Sequence, residues 1–223
     1  MQIIKKAIKE GRKTLSEYES KLILKHYSIP IVEEILVNNQ DEFLDALRIL
    51  GYPLVIKGCS PNITHKTEEE LIFLDIRNKN EAIEAFDEIN KKINQIKDGA
   101  ILVQKMVKGG RELMVGMIND PQFGPSVMFG LGGIFTEILK DVSFRVAPLD
   151  KKDAMDMMME INANKILDSV RNMPPIDREE LTKLILNVGK IGLENKQIKE
   201  MDINPIIIYG SKPIAVDALI VLK

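Results

Sequence analysis

Tryptophan is missing from this 223-residue chain, cysteine occurs once and histidine twice. The lone Cys59 excludes an intrachain disulfide, and a reducing compartment, the cytoplasm, is the natural setting to expect. No stretch reaches the roughly 18 consecutive apolar residues that crossing a bilayer requires. The opening MQIIKKAIKEGRK sets apolar residues at helical spacing between charges and lacks the continuous apolar core of a secretory leader. An excess of one charge is also absent: 31 Lys and Arg face 33 Asp and Glu, a net charge of −2. That balance argues against general binding to nucleic acid or to a membrane surface, and leaves a local phosphate site open. Two phosphate-binding patterns fail as well. From Gly130, GLGGIFTE (130–137) would need glycine at 135 to complete G-x-G-x-x-G, and Phe135 stands there. No G-x-x-x-x-G-K-[ST] occurs either.

What is present suffices for a sizeable core: 45% of residues are hydrophobic and 29% charged. The length suits one large domain or two small subdomains. Ser16-Glu17-Tyr18-Glu19 has capping-box spacing and predicts a helix through about Tyr27. IPIVEEILV (29–37) reads as a strand, Asn39 to Leu50 as a capped helix, LVIKG (54–58) as a buried strand carrying one lysine, and LIFLDI (71–76) as another strand. Asn80 is expected to cap a helix through about Ile96, before a strand over AILVQKMV (100–107). The pattern then changes. RELMVGMI and SVMFGL flank the turn-rich NDPQFGP, which predicts an antiparallel hairpin, and FTEILKD and SFRVAPL extend the sheet. Helices follow over about 151–168 and 177–195, then two strands, MDINPIIIY and PIAVDALIVL. The expected class is α+β, with subdomains over 1–100 and 101–223 and a site in the cleft between them.

Several residues invite chemistry. Lys57, in an otherwise apolar strand, either pairs with an anion or sits at the strand end and reaches water. His65, in SPNITHKT (60–67), is either a nucleophile or phosphate ligand beside Lys66, or a solvated loop residue. His26, near a helix end, suits an ordinary surface role. Asp202 and Asn204 share one face if MDIN is a strand, and Asp217 in the partner strand can lie near them. Such oxygen ligands suit Mg²⁺ completed by water and phosphate; the alternative is a polar face on an edge hairpin. Gly132-Gly133 reads as a strand-to-strand turn whose amides are available as an anion nest.

These pieces meet in one resemblance. GRELMVGMINDPQFGPSVMFGLGGIFTEILKDVSFRVAPL (110–149), with SPNITHKT, EMDINPIIIY and AVDA, resembles the β subunits of the NDP-forming acyl-CoA synthetases. The shorter segments also resemble pieces of succinyl-CoA synthetase β. The likeness runs over nearly the whole chain. It implies an ATP-grasp fold: two α+β subdomains gripping a nucleotide. It implies the reaction acyl-CoA + ADP + phosphate ⇌ carboxylate + CoA + ATP, through an acyl phosphate and a phosphohistidine. It also implies Mg²⁺, ADP or ATP as substrate, and a separate α subunit with the CoA-binding domain and the primary phosphohistidine, in an α₂β₂ assembly.

By the same resemblance, Lys57 contacts nucleotide phosphates, the backbone of Gln104, Lys105, Met106 and Val107 reads adenine, and Glu112 contacts the ribose. Gly132 and Gly133 face the phosphate or the arriving phosphohistidine loop. Asn204 and Asp217 bind magnesium, Asp202 lies near the phosphohistidine, and His65 relays the phosphoryl group. Arg145 is expected to stabilise developing phosphoryl charge, with Glu137 orienting it. Two features depart from the family pattern. Glu70 and Leu71 replace a usual Gly-Gly pair, and Lys105 stands where glutamate is common. The run Glu68–Glu70 motivates a second hypothesis, a nucleotide-binding regulatory or assembly subunit without turnover. A third is a stand-alone ATP-grasp carboxylate–amine ligase.

Overall fold

The computed structural model describes residues 1–63, 70–133 and 141–223. His65, with Lys66 to Glu69, and Glu137 lie outside the described residues.

Side-chain caps fix where most helices begin. Helix α1 spans Gln2–Lys9 and α2 Glu17–His26. The Ser16 hydroxyl accepts the Glu19 N–H and the Glu19 carboxylate accepts the Ser16 N–H, so the predicted capping box is formed. Asn39 caps α3 (Gln40–Leu50). Helix α4 (Lys79–Ile93) is capped by Asn78, not by Asn80. Asn78 holds the extended backbone that lets its side chain accept the Glu81 N–H, while Asn80 is already inside the helix. Asp150 caps α5 (Lys151–Glu160), which ends well short of the predicted 168. Ile161 turns extended there, and the Asp141 carboxylate takes the N–H groups of Asn162 and Ala163. A 3₁₀ turn, Asn164–Leu167, follows. Asp177 caps α6 (Arg178–Glu194).

Strands β1 (Glu34–Val37), β2 (Leu54–Cys59), β3 (Ile72–Ile76) and β4 (Ala100–Lys105) form an antiparallel sheet in the order β1-β4-β2-β3. Helices α3 and α4 cover one face, packing Phe43, Leu47, Phe86 and Ile89 on Leu54, Ile56 and Val103. The larger sheet holds β5 (Glu112–Asp120), β6 (Gly124–Leu131), β7 (Val142–Val146), β8 (Ile198–Tyr209), β9 (Lys212–Ala215) and β10 (Leu219–Leu222). Its order is β10-β8-β5-β6-β7, with β9 alongside β8. The β5–β6 hairpin is the one read from the sequence.

The chain does not divide between the sheets at 100/101. Ile4, Ala7, Leu15, Ile23, Leu24 and Ile29 are buried in the core of the larger sheet. The Leu15 N–H donates to Ile220 O and the Leu222 N–H to Lys13 O, laying the N-terminal segment along β10. Strand β4, in turn, belongs to the smaller sheet. The segment 29–37 is shared: Val32 N–H donates to Ala215 O in the larger sheet, and only Glu34 onward pairs with β4. The small sheet is thus an excursion from a unit that the chain both starts and finishes.

A buried charge cluster closes the seam. Ile35, Leu54, Ile56 and Val103 face α3 and α4, so Glu34, Lys57 and Gln104 face the other way. Helix α2 meets them with Glu17 and Lys21, one turn apart. Lys21 Nζ donates to Glu17 Oε1 at 2.6 Å, to Gln104 Oε1 at 3.0 Å and to Glu34 Oε2. Lys57 Nζ donates to the same Glu17 Oε1 at 2.8 Å and to Val216 O at 3.0 Å. Burial alone would lower the Lys21 pKa, but Glu17 and Glu34 outweigh it and hold the group above the ordinary lysine value. Glu34 has one close cation where Lys21 has two carboxylates, and burial pushes it up to about 7 against the pull of Lys21.

The folded state therefore binds the Glu34 proton more tightly than the unfolded chain does. Its contribution to stability is complete below the unfolded value near 4.5 and is lost as pH rises through about 7. Denaturant titrations of the wild type and Glu34→Gln should show the wild type losing stability relative to the variant between about pH 5 and pH 8. A constant difference across that window would mean that Glu34 is already ionised in the folded protein at its lower end.

Candidate active site

Two opposite charges meet at the seam. From the larger sheet, β8 buries Met201 and Ile203 and turns Asp202 and Asn204 to the other face. The predicted last strand is interrupted: β9 ends at Ala215, β10 begins at Leu219, and both pair with β8. In the gap, Val216 N–H donates to Pro205 O at 3.2 Å. Asp217 consequently shares a cavity of about 140 Å³ with Asp202, Asn204, Glu17 and Ile63. The three-residue grouping expected from the sequence is realised, through a break in the ladder instead of a regular rung. Asp202 opens to solvent on the cleft side and is walled by protein elsewhere. Desolvation, and then the nearby Asp217, push its carboxyl up to about 6.

These donors are hard oxygens. Among the described residues, no group of three or more His, Cys, Asp or Glu side chains gathers to hold a metal alone. Oxygen donors of this kind suit a cation that takes part of its shell from water and phosphate, as Mg²⁺ does.

From the smaller sheet, Lys57 completes the arrangement. It is 3% exposed, so it does not reach for water as the strand-end alternative required. Its ammonium bonds the carbonyl of Val216, the residue before Asp217.

The glycines lie on the same side. Gly132 N–H donates to Glu112 O and Gly133 N–H to Asn204 Oδ1, at 2.9 and 3.0 Å. A Cβ at Gly132 would overlap the Leu113 carbonyl, and Gly133, with φ +62°, leaves no room for one beside Glu112 Oε2. Both amides are spent on the fold, which corrects the anion-nest expectation. The pair instead lets the chain press against Glu112 and orient the Asn204 amide. Glu112 itself is exposed on the cleft side of β5.

The adenine segment also needs correction. Gln104 lies within the ladder between β1 and β2, and its buried side chain serves Lys21. Lys105 N–H donates to Glu33 O and Met106 N–H to Pro53 O. Neither of those two N–H groups is therefore left to read a base.

Register removes Arg145. Leu219, Asp202, Gly116, Met128 and Phe144 form one row across the sheet, on its open face. Arg145 stands opposite Val127, which is buried under the helices, so it projects from the other face. There it forms a two-pronged ion pair with Glu160 of α5. It touches neither Asp202 nor the cleft. The open face instead carries Met114, Met128, Phe144 and Leu219, lining a cavity of about 500 Å³ that ends at Asp202 and Asn204.

Glu70, at the first of the two positions where the family has glycine, adopts a left-handed backbone, φ +53°. Its carboxylate bonds Lys92 of α4 at 2.7 Å. Sequence reasoning missed Glu17 and Lys21. The available signal was their spacing: with Ser20 and Leu24 they form the stripe 17, 20, 21, 24, one helix face, all of it buried.

Comparison with known proteins gives the family. Residues 6–222 match the model of the family described as ATP-grasp domain. The chain is 48% identical to acetate–CoA ligase [ADP-forming] I subunit beta of Pyrococcus furiosus, over 99% of this chain and 97% of that one. It superposes on the dinucleotide-forming acetyl-coenzyme A synthetase 1 of Ca. Korarchaeum cryptofilum, in complex with coenzyme A, Ca-AMPCP and HgCl⁺, with a TM-score of 0.93 and 40% identity, covering 100% and 99% of the two chains. Another structure of that enzyme holds coenzyme A and Mg-AMPPCP and has its phosphohistidine segment pointing towards the nucleotide-binding site; it matches with a TM-score of 0.88, 40% identity and the same coverage.

Gly133→Ala should destabilise the protein by about 1–3 kcal/mol in equilibrium unfolding, from the left-handed backbone and from contact with Glu112. Gly124→Ala, at φ +79° with open space around it, should cost less. Equal losses would show that the Glu112 side chain moves aside freely.

Proposed function

This chain belongs to the ATP-grasp family, and we propose that it is the β subunit of an ADP-forming acetate–CoA ligase. The net reaction is acyl-CoA + ADP + phosphate ⇌ carboxylate + CoA + ATP. In the step carried by this subunit, the P–N bond of a phosphohistidine breaks. A P–O bond forms to a terminal oxygen of ADP, and the freed imidazole and ATP leave.

The observation that carries the reading is the contact between Lys57 and the Val216 carbonyl. It brings an ammonium from the small sheet to the backbone of the residue before Asp217, which lines the cavity with Asp202 and Asn204. A transferring phosphoryl group needs positioned positive charge more than covalent chemistry. Lys57 supplies that charge, and Asn204 and Asp217 are the residues that would hold magnesium. The ion, when bound, neutralises part of the phosphate charge. Asp202, beside them, faces the arriving phosphohistidine. Val107 and the carbonyls of Lys105 and Met106 take the base edge, Glu112 the ribose, and His65 the relay. The nucleotide then lies between the two sheets.

The Pyrococcus relative is named a β subunit, which supports a partner α chain; the resemblance adds a CoA-binding domain on that chain and an α₂β₂ assembly. No helix among the described residues is long and apolar enough to cross a membrane. The ion pair of Glu70 with Lys92 favours turnover over a purely regulatory role, because it directs that carboxylate to α4 and away from a bound phosphate.

Combined with its α subunit, the chain should make ATP from acetyl-CoA, ADP and phosphate, and no ATP with any acyl-CoA would sink the reading. Asp217→Ala should lower turnover by about 10²-fold or more. His65→Ala should slow it sharply. Arg145→Met, on the opposite face, should leave it within about twofold and cost stability only about 0–1 kcal/mol. A large rate loss in Arg145→Met would contradict the register that places it there.

A further inference from the structure

The two buried lysines of the seam are not equivalent. An ammonium has three protons to donate. Lys21 has a side-chain acceptor for each: Glu17, Glu34 and Gln104. Lys57 has two acceptors among the described residues, Glu17 Oε1 and Val216 O, which leaves one proton for an incoming oxygen. Lys57 is therefore the member of the cluster able to meet a phosphate, and Lys21 is fully engaged by the fold.

What holds Lys57 is not its own strand. A lysine reaches along a flexible four-carbon stem, and β2 fixes only its Cα. Glu17 supplies the other end. It lies in the first turn of α2, whose start is locked by the Ser16–Glu19 capping box and by a two-pronged ion pair between Arg12 and Glu19. Glu17 is itself buried and also lines the cavity of Asp202, Asn204 and Asp217. One carboxylate oxygen thus ties the small-sheet lysine to the unit that carries the acid cluster.

We propose that Glu17 is the positioning residue for Lys57: it aims the ammonium at the nucleotide phosphates and so sets ADP affinity and the rate of phosphoryl transfer. The inference rests on the reading of Lys57 as a phosphate contact. With Glu17 shortened or neutralised, the Lys57 ammonium is held by Val216 O alone and leaves its aim.

The test uses the complete complex with its α subunit, Mg-ADP as the probe and thermal unfolding as a check on folding. Glu17→Asp keeps the charge and withdraws it by one methylene; Glu17→Gln removes the charge. Both should raise the KM for ADP by about tenfold or more, the range of a lost charged hydrogen bond, and leave the KM for acyl-CoA within about twofold. If Glu17→Gln does not fold, Glu17→Asp decides. Lys21→Met/Glu34→Gln removes one charge of each sign from the same cluster and spares the Glu17–Lys57 bond. It should lower the Tm with no change in the KM for ADP. An equal rise in KM in that double variant would overturn the proposal, because general loosening of the seam would then suffice. Lys57→Met separates the two readings. If it weakens ADP binding while folded Glu17→Asp and Glu17→Gln stay within about twofold of wild type, the positioning role fails and the phosphate contact stands. If Lys57→Met leaves ADP binding unchanged, both fail.

Discussion

The structure turns on a pair of ammonium groups that have one carboxylate oxygen in common. Lys21 and Lys57 both donate to Glu17 Oε1 in a region almost without solvent. Taking such charges out of water costs several kcal/mol each, and removing one partner of a buried pair typically costs about 3–5 kcal/mol. A cluster of this kind is weak evidence for stability, since well-packed apolar side chains often serve equally well. Its value here is geometric. The members come from α2, β1, β2, β4 and the segment after β9, so the bonds form only when both sheets and the first long helix have reached their places.

The same constraint explains why the cleft opens where it does. The chain builds the N-terminal part of the larger core, leaves to form the small sheet, and returns. Its two crossings, near residues 32–34 and 105–112, lie on either side of the cluster's Glu34 and Gln104. At the far side, β9 and β10 part around 216–218. That gap has two effects: the Val216 carbonyl is free to take the lysines, and Asp217 turns toward Asp202 and Asn204. An uninterrupted strand would have used the Val216 carbonyl in the ladder. Cation and anion ends of the site are therefore produced by one irregularity.

Much of this was legible in the sequence. Capping residues at Ser16, Asn39 and Asp177, the β5–β6 hairpin and the Asp202–Asn204 spacing depend on neighbours within a few residues, which is the range over which local patterns carry information. Helix α5 stops early because a distant carboxylate, Asp141, captures the amides beyond it. The segment 29–37 reads as one strand, yet its two halves serve different sheets, and that choice is made by partners far along the chain. The partner of Lys57 was hidden for the same reason: Glu17 lies 40 positions away.

Arg145 shows how sharply a sheet discriminates. It sits one residue from Phe144, which belongs to the open row that includes Asp202, and that single step moves it to the helix-covered face. Its charge recommended it for phosphoryl chemistry, and the period of two outweighs that. The same rule works in favour of Lys57, whose alternation with Ile56 turns it from the α3–α4 core to the seam. In a fold that grips its ligand between two sheets, a cationic residue contributes according to the parity of its position. The residues that then fix its aim come from whichever element packs across that face, here the first turn of α2.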